Sequence, residues 1–295
     1  MTAGSPRPLA SAAEVAEAGE DDDLIVWAAQ GMRPGVRAWA LGDAVAVASP
    51  GASRRDRLAV RGSTACALPL VRHALAEAGP AYRPLGDAEL VRAVSAGVEG
   101  MTEAVGFSWM VTRSAPPPPP LPPPLPPPLP PPLPPPLPLP LPPPRPGSAG
   151  GGAAGWLGPD ADPEIAALLA GANPSSYAVP GIDRVSRWAG VRDASGALVA
   201  VAADAWSAPT VGLMAGVATA ATARGRGLAE RVCRFVTRAL VAGHGRAALM
   251  VDDGNDLAIR LYERLGYARR RVAALAPAGT RGERVTMGSL SSGGC

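Results

Sequence analysis

The segment that most restricts the fold of this chain runs from Val211 to Tyr267. Its first part, Val211 to Thr219, is apolar and predicts a buried strand, which a short loop connects to a turn rich in glycine and arginine. After the turn the pattern predicts a helix over 226–242, a strand over 246–251, a helix over 256–265 and a strand over 267–275. Such strand–helix–strand units favour right-handed parallel crossovers, so the sequence predicts a mixed α/β sheet.

The turn has the sequence Arg224-Gly225-Arg226-Gly227-Leu228-Ala229 and fits the pattern R-x-x-G-x-G/A. Backbone amides at a helix N-terminus, beside glycines that permit close approach, form an anion site. A dinucleotide site is the main rival, because Gly225 and Gly227 begin a G-x-G-x-x-G. Its final position is Glu230, however, where close packing requires a small residue. A Walker loop is excluded because the chain contains no lysine.

Three motifs in this order resemble the GNAT-type N-acetyltransferase superfamily: Val217-Ala-Thr219, the 224–229 turn, and Asn255 through Tyr267. The resemblance is clear over 211–275. It implies a mixed central sheet of the acyl-CoA N-acyltransferase type, with acetyl-CoA or another acyl-CoA as co-substrate and no metal. It further implies the cofactor-binding residues, which are Val217 and Thr219 for the pantetheine arm, Arg224, Gly225, Arg226, Gly227, Leu228 and Ala229 for the diphosphate, and Asn255. The Arg224 and Arg226 side chains either contact the phosphates or are simply solvated.

Tyr262 lies seven residues beyond Asn255, nearly two helical turns, so both project on about the same side. Without the resemblance, the position of Tyr262 in the helix predicts a half-buried tyrosine in the core. The resemblance instead implies a catalytic role, in which its phenol donates a proton to the departing thiolate. Asn255 also precedes an apolar-periodic segment, which predicts the N-cap of the last helix, and Gly266 predicts its end.

The reaction implied by the resemblance is direct attack of a neutral amine on the acyl thioester in a ternary complex. The sequence does not identify a general base. Asp204, Asp252 and Asp253 are candidates, and each is also typical of a turn or strand end. His244, between two glycines, fits a structural role at a helix end, and Cys233 fits a buried helix face. The acceptor, a small-molecule or peptide amine, stays open. The alternatives are a non-catalytic acyl-CoA-binding protein and a proline-tract scaffold.

Bulk properties narrow the function class. The net charge is +3, which is too small to argue for nucleic acid without a concentrated basic face. Three scattered cysteines offer neither a disulfide framework nor a metal site, which fits a reducing compartment. The N-terminal segment is acidic and does not have a signal-peptide pattern, and no apolar run reaches membrane-spanning length. We therefore expect a cytoplasmic protein without membrane partners.

The composition predicts five regions along the chain. They are a disordered tail (1–20), an N-terminal α/β domain (21–113), a Pro/Gly-rich linker (114–155), the acetyltransferase-like domain (156–278) and a flexible C-terminal tail (279–295). In the N-terminal domain, a hairpin is predicted around Gly42-Asp43 and a helix from Ser63 to Glu77. The order of its elements loosely repeats that of the second domain, which suggests a degenerate repeat without the anion turn.

The linker contains a proline block from Pro116 to Pro146 with a leucine at every fourth position from 121 to 137. Polyproline II has three residues per turn, so these leucines wind around the helix rather than line one face. At about 3.1 Å per residue the block could act as a stiff spacer of roughly 90 Å. It could also dock onto a proline-recognition domain.

Overall fold

The computed structural model describes residues 4–117 and 152–277. The first half, residues 4–117, contains six strands and four α-helices. They are β1 (Arg7–Leu9), α1 (Ala12–Ala18), α2 (Asp23–Ala29), β2 (Arg37–Leu41), β3 (Ala44–Ala52), β4 (Arg55–Arg61), α3 (Thr64–Ala78), β5 (Arg83–Asp87), α4 (Ala88–Ser95) and β6 (Met101–Thr112). The predicted hairpin is confirmed, since β2 and β3 pair with Leu41 opposite Ala44. The predicted helix is also confirmed, with Ser63 at its N-cap.

The second half, residues 152–277, has six strands and three α-helices. They are β7 (Gly155–Trp156), α5 (Asp162–Ala172), β8 (Val185–Arg192), β9 (Leu198–Ala205), β10 (Gly212–Thr219), α6 (Leu228–His244), β11 (Ala247–Val251), α7 (Asp256–Arg264) and β12 (Ala268–Pro277). Every element predicted after Val211 is present within about two residues of its predicted bounds, because each carries a clear apolar period.

The prediction of a disordered tail over residues 1–20 is wrong for its described part. Strand β1 pairs with β2, and the Ser11 hydroxyl accepts a hydrogen bond from the Glu14 amide at the start of α1. Leu9 and Val15 are buried in the main core. Two buried apolar side chains and one helix cap order a segment whose average composition resembles that of a tail.

All twelve strands form one sheet in the order β1-β2-β3-β4-β5-β12-β6-β11-β10-β9-β8-β7. The two halves therefore run inward from opposite edges, and each reaches the centre with a parallel pair, β4–β5 in one and β10–β11 in the other. The final strands are exchanged. Strand β12 of the second half pairs with β5, and β6 of the first half pairs with β11.

Three apolar clusters hold helices against this sheet. One cluster joins both halves and includes residues of α1, α2 and α5, among them Trp27 and Ile165. The other two lie against α3 and α4 in the first half and against α6 and α7 in the second. Among the described residues no helix is both long and apolar enough to cross a membrane.

Most of the proline block, and the C-terminal tail from residue 278, lie outside the described residues. The described ends of the predicted linker (114–155) both contact α6. The Pro116 and Pro117 carbonyls accept hydrogen bonds from Arg238 and Arg234, and the Gly152 carbonyl accepts one from Arg231. Because the halves share one sheet, they are in direct contact and the block does not hold them apart.

The strand exchange leads to a folding prediction. A fragment of residues 1–117 lacks β12, so its β5 edge and the apolar groups against α4 become exposed. We expect this fragment, and a fragment of residues 152–277, each to fail to fold cooperatively alone, whereas co-expression restores a complex. Circular dichroism and urea unfolding of the single and paired fragments check this. Two fragments that each unfold cooperatively on their own would contradict it.

Candidate active site

The site lies where β10 and β11 separate. The two strands pair in parallel through three positions, ending at Met214 and Leu249, although β10 continues to Thr219 and β11 to Val251. On its other side β10 has an irregularity against β9 between Ala215 and Ala218, at Gly216 with φ +63°. A Cβ at this glycine would lie 2.5 Å from the Trp188 ring. The bulge therefore needs glycine, and it turns β10 away from β11.

A first opening, which we call the turn cleft, lies at the end of β10 and has a volume of about 220 Å³. Its lining residues are Thr219, Ala223, Arg224, Gly225, Gly227, Leu228, Ala229, Glu230, Leu257, Leu261 and Arg264. Among the residues that the structure describes, no side chain caps the N-terminus of α6, where Gly227 is the N-cap. The first-turn amides are therefore directed at this cleft without a side-chain acceptor, as an anion site requires.

The structure separates the two arginines of the turn. Arg224 lines the cleft, whereas Arg226 is exposed and does not. Arg226 lies close enough to Asp193 to help lower the pKa of that carboxyl, after the larger effect of hydrogen bonds from Ser195. Of the nine predicted cofactor-binding residues, Thr219, Arg224, Gly225, Gly227, Leu228 and Ala229 line this one cleft.

Asn255 is the N-cap of α7, as predicted, and its Oδ1 accepts a hydrogen bond from the Ala258 amide at 3.2 Å. Its side chain does not line the turn cleft. A contact between Asn255 and a coenzyme stays a prediction. Three residues of α7 that the sequence did not predict as site residues do line the cleft, namely Leu257, which is 54% exposed, Leu261 and Arg264. The helical spacing from Leu257 to Leu261 to Arg264 was the signal that could have placed them on one face.

A second opening, which we call the central cavity, lies beside the separated strands and has a volume of about 50 Å³. It is lined by Ser53, Asn173, Ser176, Tyr177, Ala178, Trp206, Leu213, Met214, Ala215, Gly216, Val217, Leu249, Met250 and Tyr262. Val217 and Tyr262, both predicted site residues, thus line this cavity together, and neither lines the turn cleft. Ser53 comes from the β3–β4 turn of the first half, so both halves build this wall.

Tyr262 is buried in the α7 face that packs on the second-half core. Its ring lies 6.0 Å from the Tyr267 ring, in an edge-to-face arrangement. Burial raises the pKa of the Tyr262 phenol well above its ordinary value, with smaller contributions from Cys233 and Tyr267. The phenol is therefore fully protonated at neutral pH, as a proton donor must be, although donation to a thiolate is more uphill than from an exposed phenol.

None of the three candidate bases lines either opening. Asp204 is buried and accepts hydrogen bonds from Arg187 at 3.2 Å and from Ser207 at 2.5 Å. Asp253 accepts from Ser108 and Arg269, and Asp252 accepts from the Gly254 amide. Each carboxylate is thus committed to a structural partner. Among the described residues, no three His, Cys, Asp or Glu side chains converge where they could hold a metal ion.

Cys233 and His244 have the structural roles that the sequence predicted. The Cys233 thiol is buried among the second-half core residues. His244 is the last residue of α6, and its Nδ1 lies 3.2 Å from the Pro209 carbonyl oxygen. The other histidine, His73, packs its ring against Trp39 at 5.8 Å.

The pH dependence of stability tests the burial of three weak acids in the second-half core, Cys233, Tyr262 and Tyr267. Burial raises the pKa of the Cys233 thiol and of the Tyr262 and Tyr267 phenols. The unfolded chain therefore loses these protons at lower pH than the folded chain, and stability is complete below the unfolded pKa values. We expect the free energy of unfolding to fall from about pH 9 upward, and Cys233→Ala to delay the start of that fall. Urea unfolding between pH 7 and pH 10 measures it; identical pH profiles for both proteins would contradict it.

A third opening, about 480 Å³, is at the matching place in the first half, beside the end of β4 and the start of α3. We do not assign the reaction to it, for two reasons. Strands β4 and β5 stay paired as far as Val60, so they do not separate as β10 and β11 do. The Asp43 carboxylate also accepts hydrogen bonds from the Ser63 amide and hydroxyl, both at 2.8 Å, and so occupies the N-terminus of α3.

Known proteins are similar to this chain in sequence over one segment and in fold over most of its length. Residues 190–275 match the family model described as FR47-like protein. A GCN5-related N-acetyltransferase from Kribbella flavida is 19% identical, with a TM-score of 0.53 over 85% of this chain and 94% of that one. A Drosophila protein is 12% identical, with a TM-score of 0.51 over 92% of this chain and 98% of that one. No curated protein matches the sequence.

At these identities the two solved structures establish a shared fold, and the predicted fold class is confirmed. The family match is independent of the fold, because it comes from the sequence of the segment that contains β10, the 224–229 turn and Tyr262. Residues 190–275 are thus similar to FR47-like proteins in sequence, and the described chain shares the fold of a GCN5-related N-acetyltransferase.

Proposed function

We propose that the chain is an N-acyltransferase that moves an acyl group, most simply acetyl, from acyl-CoA to an amine in a ternary complex. The observation that supports this best is the separation of β10 from β11 between two openings. The turn cleft offers uncapped helix amides and Arg224 for a diphosphate, and the central cavity places Tyr262 beside the strand. A thioester that lies along β10 would pass from one opening to the other.

The roles of the residues follow from this placement. In the proposal, the amides from Arg224 to Ala229 bind the diphosphate, and the buried edge of β10 near Val217 and Thr219 binds the pantetheine arm. The Thr219 hydroxyl is buried and has no hydrogen-bond partner among the residues that the structure describes, so a ligand could supply one. An amide of β10 near Val217 would stabilise the tetrahedral oxyanion, and the Tyr262 phenol would protonate the thiolate.

One observation favours a second candidate function, a non-catalytic acyl-CoA-binding protein. The residues that line the central cavity include no carboxylate and no histidine, so no side chain there can take a proton from an ammonium group. A binder needs only the turn cleft, whereas an enzyme must also receive an amine that is already neutral.

A screen of amines with acetyl-CoA distinguishes the two candidates. The full chain is incubated with acetyl-CoA and a panel of amino acids, peptides, polyamines and small aromatic amines, and the free thiol is followed with a colorimetric reagent. We expect amine-dependent thiol release at a rate well above that without enzyme. Calorimetric binding of acetyl-CoA with no thiol release for any amine would support the binder, and no binding at all would contradict both candidates.

A further inference from the structure

The central cavity is lined by Asn173, which has a buried polar atom that no group of the described residues satisfies. This residue ends α5 and is 1% exposed. Its Nδ2 donates a hydrogen bond to the Val217 carbonyl at 3.2 Å. Because a carbonyl only accepts, the amide nitrogen must face Val217 and Oδ1 must face away from it.

Asn173 Oδ1 has no hydrogen-bond partner among the residues that the structure describes. A buried acceptor without a partner destabilises a fold by an amount comparable to a lost hydrogen bond, so such atoms mark places where a ligand supplies the donor. Asn173 lines the same small cavity as Val217 and Tyr262. A donor that satisfies Oδ1 therefore lies beside the strand along which the thioester would run.

The charge of the cavity decides which donor fits. Its polar side chains are those of two serines, two tyrosines and Asn173, and none of them is an anion at neutral pH. The Ser176 hydroxyl already donates to the Ala178 carbonyl. An ammonium group buried here would lose its water without gaining a counter-ion, which is strongly unfavourable. A neutral amine avoids that cost and can still donate one N–H to Asn173 Oδ1.

We propose that the acceptor is a weakly basic amine of the α-amino type that enters the central cavity uncharged, with its nitrogen donating a hydrogen bond to Asn173 Oδ1. This inference rests on the proposed acyl transfer and narrows its substrate class. An α-amine with a pKa near 8 is roughly one-tenth neutral at pH 7, whereas a lysine-type amine with a pKa of about 10.4 is neutral in fewer than one molecule in a thousand.

The step balances without a protein base. The nitrogen lone pair attacks the thioester carbonyl carbon and forms the C–N bond, while the C–S bond breaks and its electron pair leaves with sulfur. The nitrogen gives its extra proton to water, and the thiolate receives a proton from Tyr262, which regains one from solvent. Asn173 contributes by orienting the N–H so that the lone pair points at the carbon.

Lysinamide tests the inference because one molecule carries both kinds of amine. Its ε-amine is on a slender stem and would enter a small cavity more easily than its branched α-amine, so preference for the α-amine is not explained by size. We expect the full chain to acetylate lysinamide at pH 7 with a preference for the α-amine over the ε-amine on the order of 10²-fold. Mass spectrometry of the products measures this ratio. With the ε-blocked compound, kcat/KM should level off near pH 8; with the α-blocked one it should keep rising.

The variant Asn173→Asp supplies the missing carboxylate. It should shift the product ratio toward the ε-amine at least tenfold, because an aspartate can hold an ammonium group and take its proton. Ser195→Asp, an exposed turn residue outside both openings, adds the same charge and should leave the ratio unchanged. Circular dichroism and acetyl-CoA affinity verify that each variant folds. If Asn173→Asp does not fold, the product ratio and the pH profiles of the wild type still test the inference.

Preferred ε-acetylation by the wild type would overturn the inference and leave acyl transfer intact. So would kcat/KM profiles that level off at the same pH for both blocked compounds, because a shared plateau reports a protein base rather than the amine. Binding of acetyl-CoA with no acetylation of lysinamide would also overturn it, while the wider amine panel still tests the proposed function. Failure of acetyl-CoA to bind would overturn the proposed function itself.

Discussion

Replacing Tyr262 by phenylalanine is expected to lower turnover on the order of 10²-fold and to leave the affinity for acetyl-CoA nearly unchanged. The ring stays, so the packing of α7 on the second-half core is kept, and only the phenolic proton donor is lost. Thiol release measures turnover, and calorimetry measures affinity.

Tyr267→Phe is the matched control. Tyr267 is also buried and lies edge-to-face against Tyr262, but its hydroxyl is bonded to Thr237 at 2.9 Å and it does not line the central cavity. We expect this variant to lose about 1 kcal/mol of stability and to keep its turnover. Equal turnover in wild type and Tyr262→Phe would remove Tyr262 from the reaction, and equal losses in both variants would indicate a packing effect.

The second large effect is expected at Gly227. This N-cap residue has φ +71°, which favours glycine, and a Cβ placed on it would meet no atom of the described residues within 4 Å. That empty space is where the proposal puts the diphosphate. Gly227→Asp adds a negative charge there and strains the turn, so affinity for acetyl-CoA should fall by at least on the order of 10²-fold. Gly227→Ala adds bulk and strain without a charge, so it should lower the affinity for acetyl-CoA by a smaller factor.

Gly196→Asp provides the control for strain. Gly196 has φ +87° and open space around its Cβ position, and it lies in the β8–β9 turn, away from both openings. The same substitution there should destabilise the fold to a similar extent without changing coenzyme affinity. If Gly227→Asp bound acetyl-CoA as tightly as Gly196→Asp does, the 224–229 turn would not be the phosphate site.

The sequence predicted the second half well because its signals are local. The apolar periods of β10, α6, β11 and α7, and the residues that cap α7, each lie within a few positions of the structure they form. The two openings follow from those elements, which is why six of the predicted residues line the turn cleft. Arg226 was indistinguishable from Arg224 in sequence, since the direction of a turn side chain depends on the surrounding fold.

The parts that the sequence did not predict depend on long-range pairing. Strands β6 and β12 are the last strands of the two halves, and nothing in their local sequence shows that each pairs with a strand of the other half's parallel pair. Asn173 gives only the signal of a helix that ends before Pro174. Its contact with Val217 spans 44 residues and exists only because α5 packs on β9 and β10.

Binding stoichiometry tests the central claim most directly. The account places one coenzyme site in each chain, because β10 and β11 separate beside uncapped amides, whereas in the first half β4 and β5 stay paired and Asp43 occupies the matching helix N-terminus. Calorimetric titration of the full chain with acetyl-CoA should give one molecule bound per chain, and Gly227→Asp should abolish that signal under the same conditions. Binding of two molecules per chain, or no binding, would contradict the account. Binding of one molecule that persists in Gly227→Asp would also contradict it.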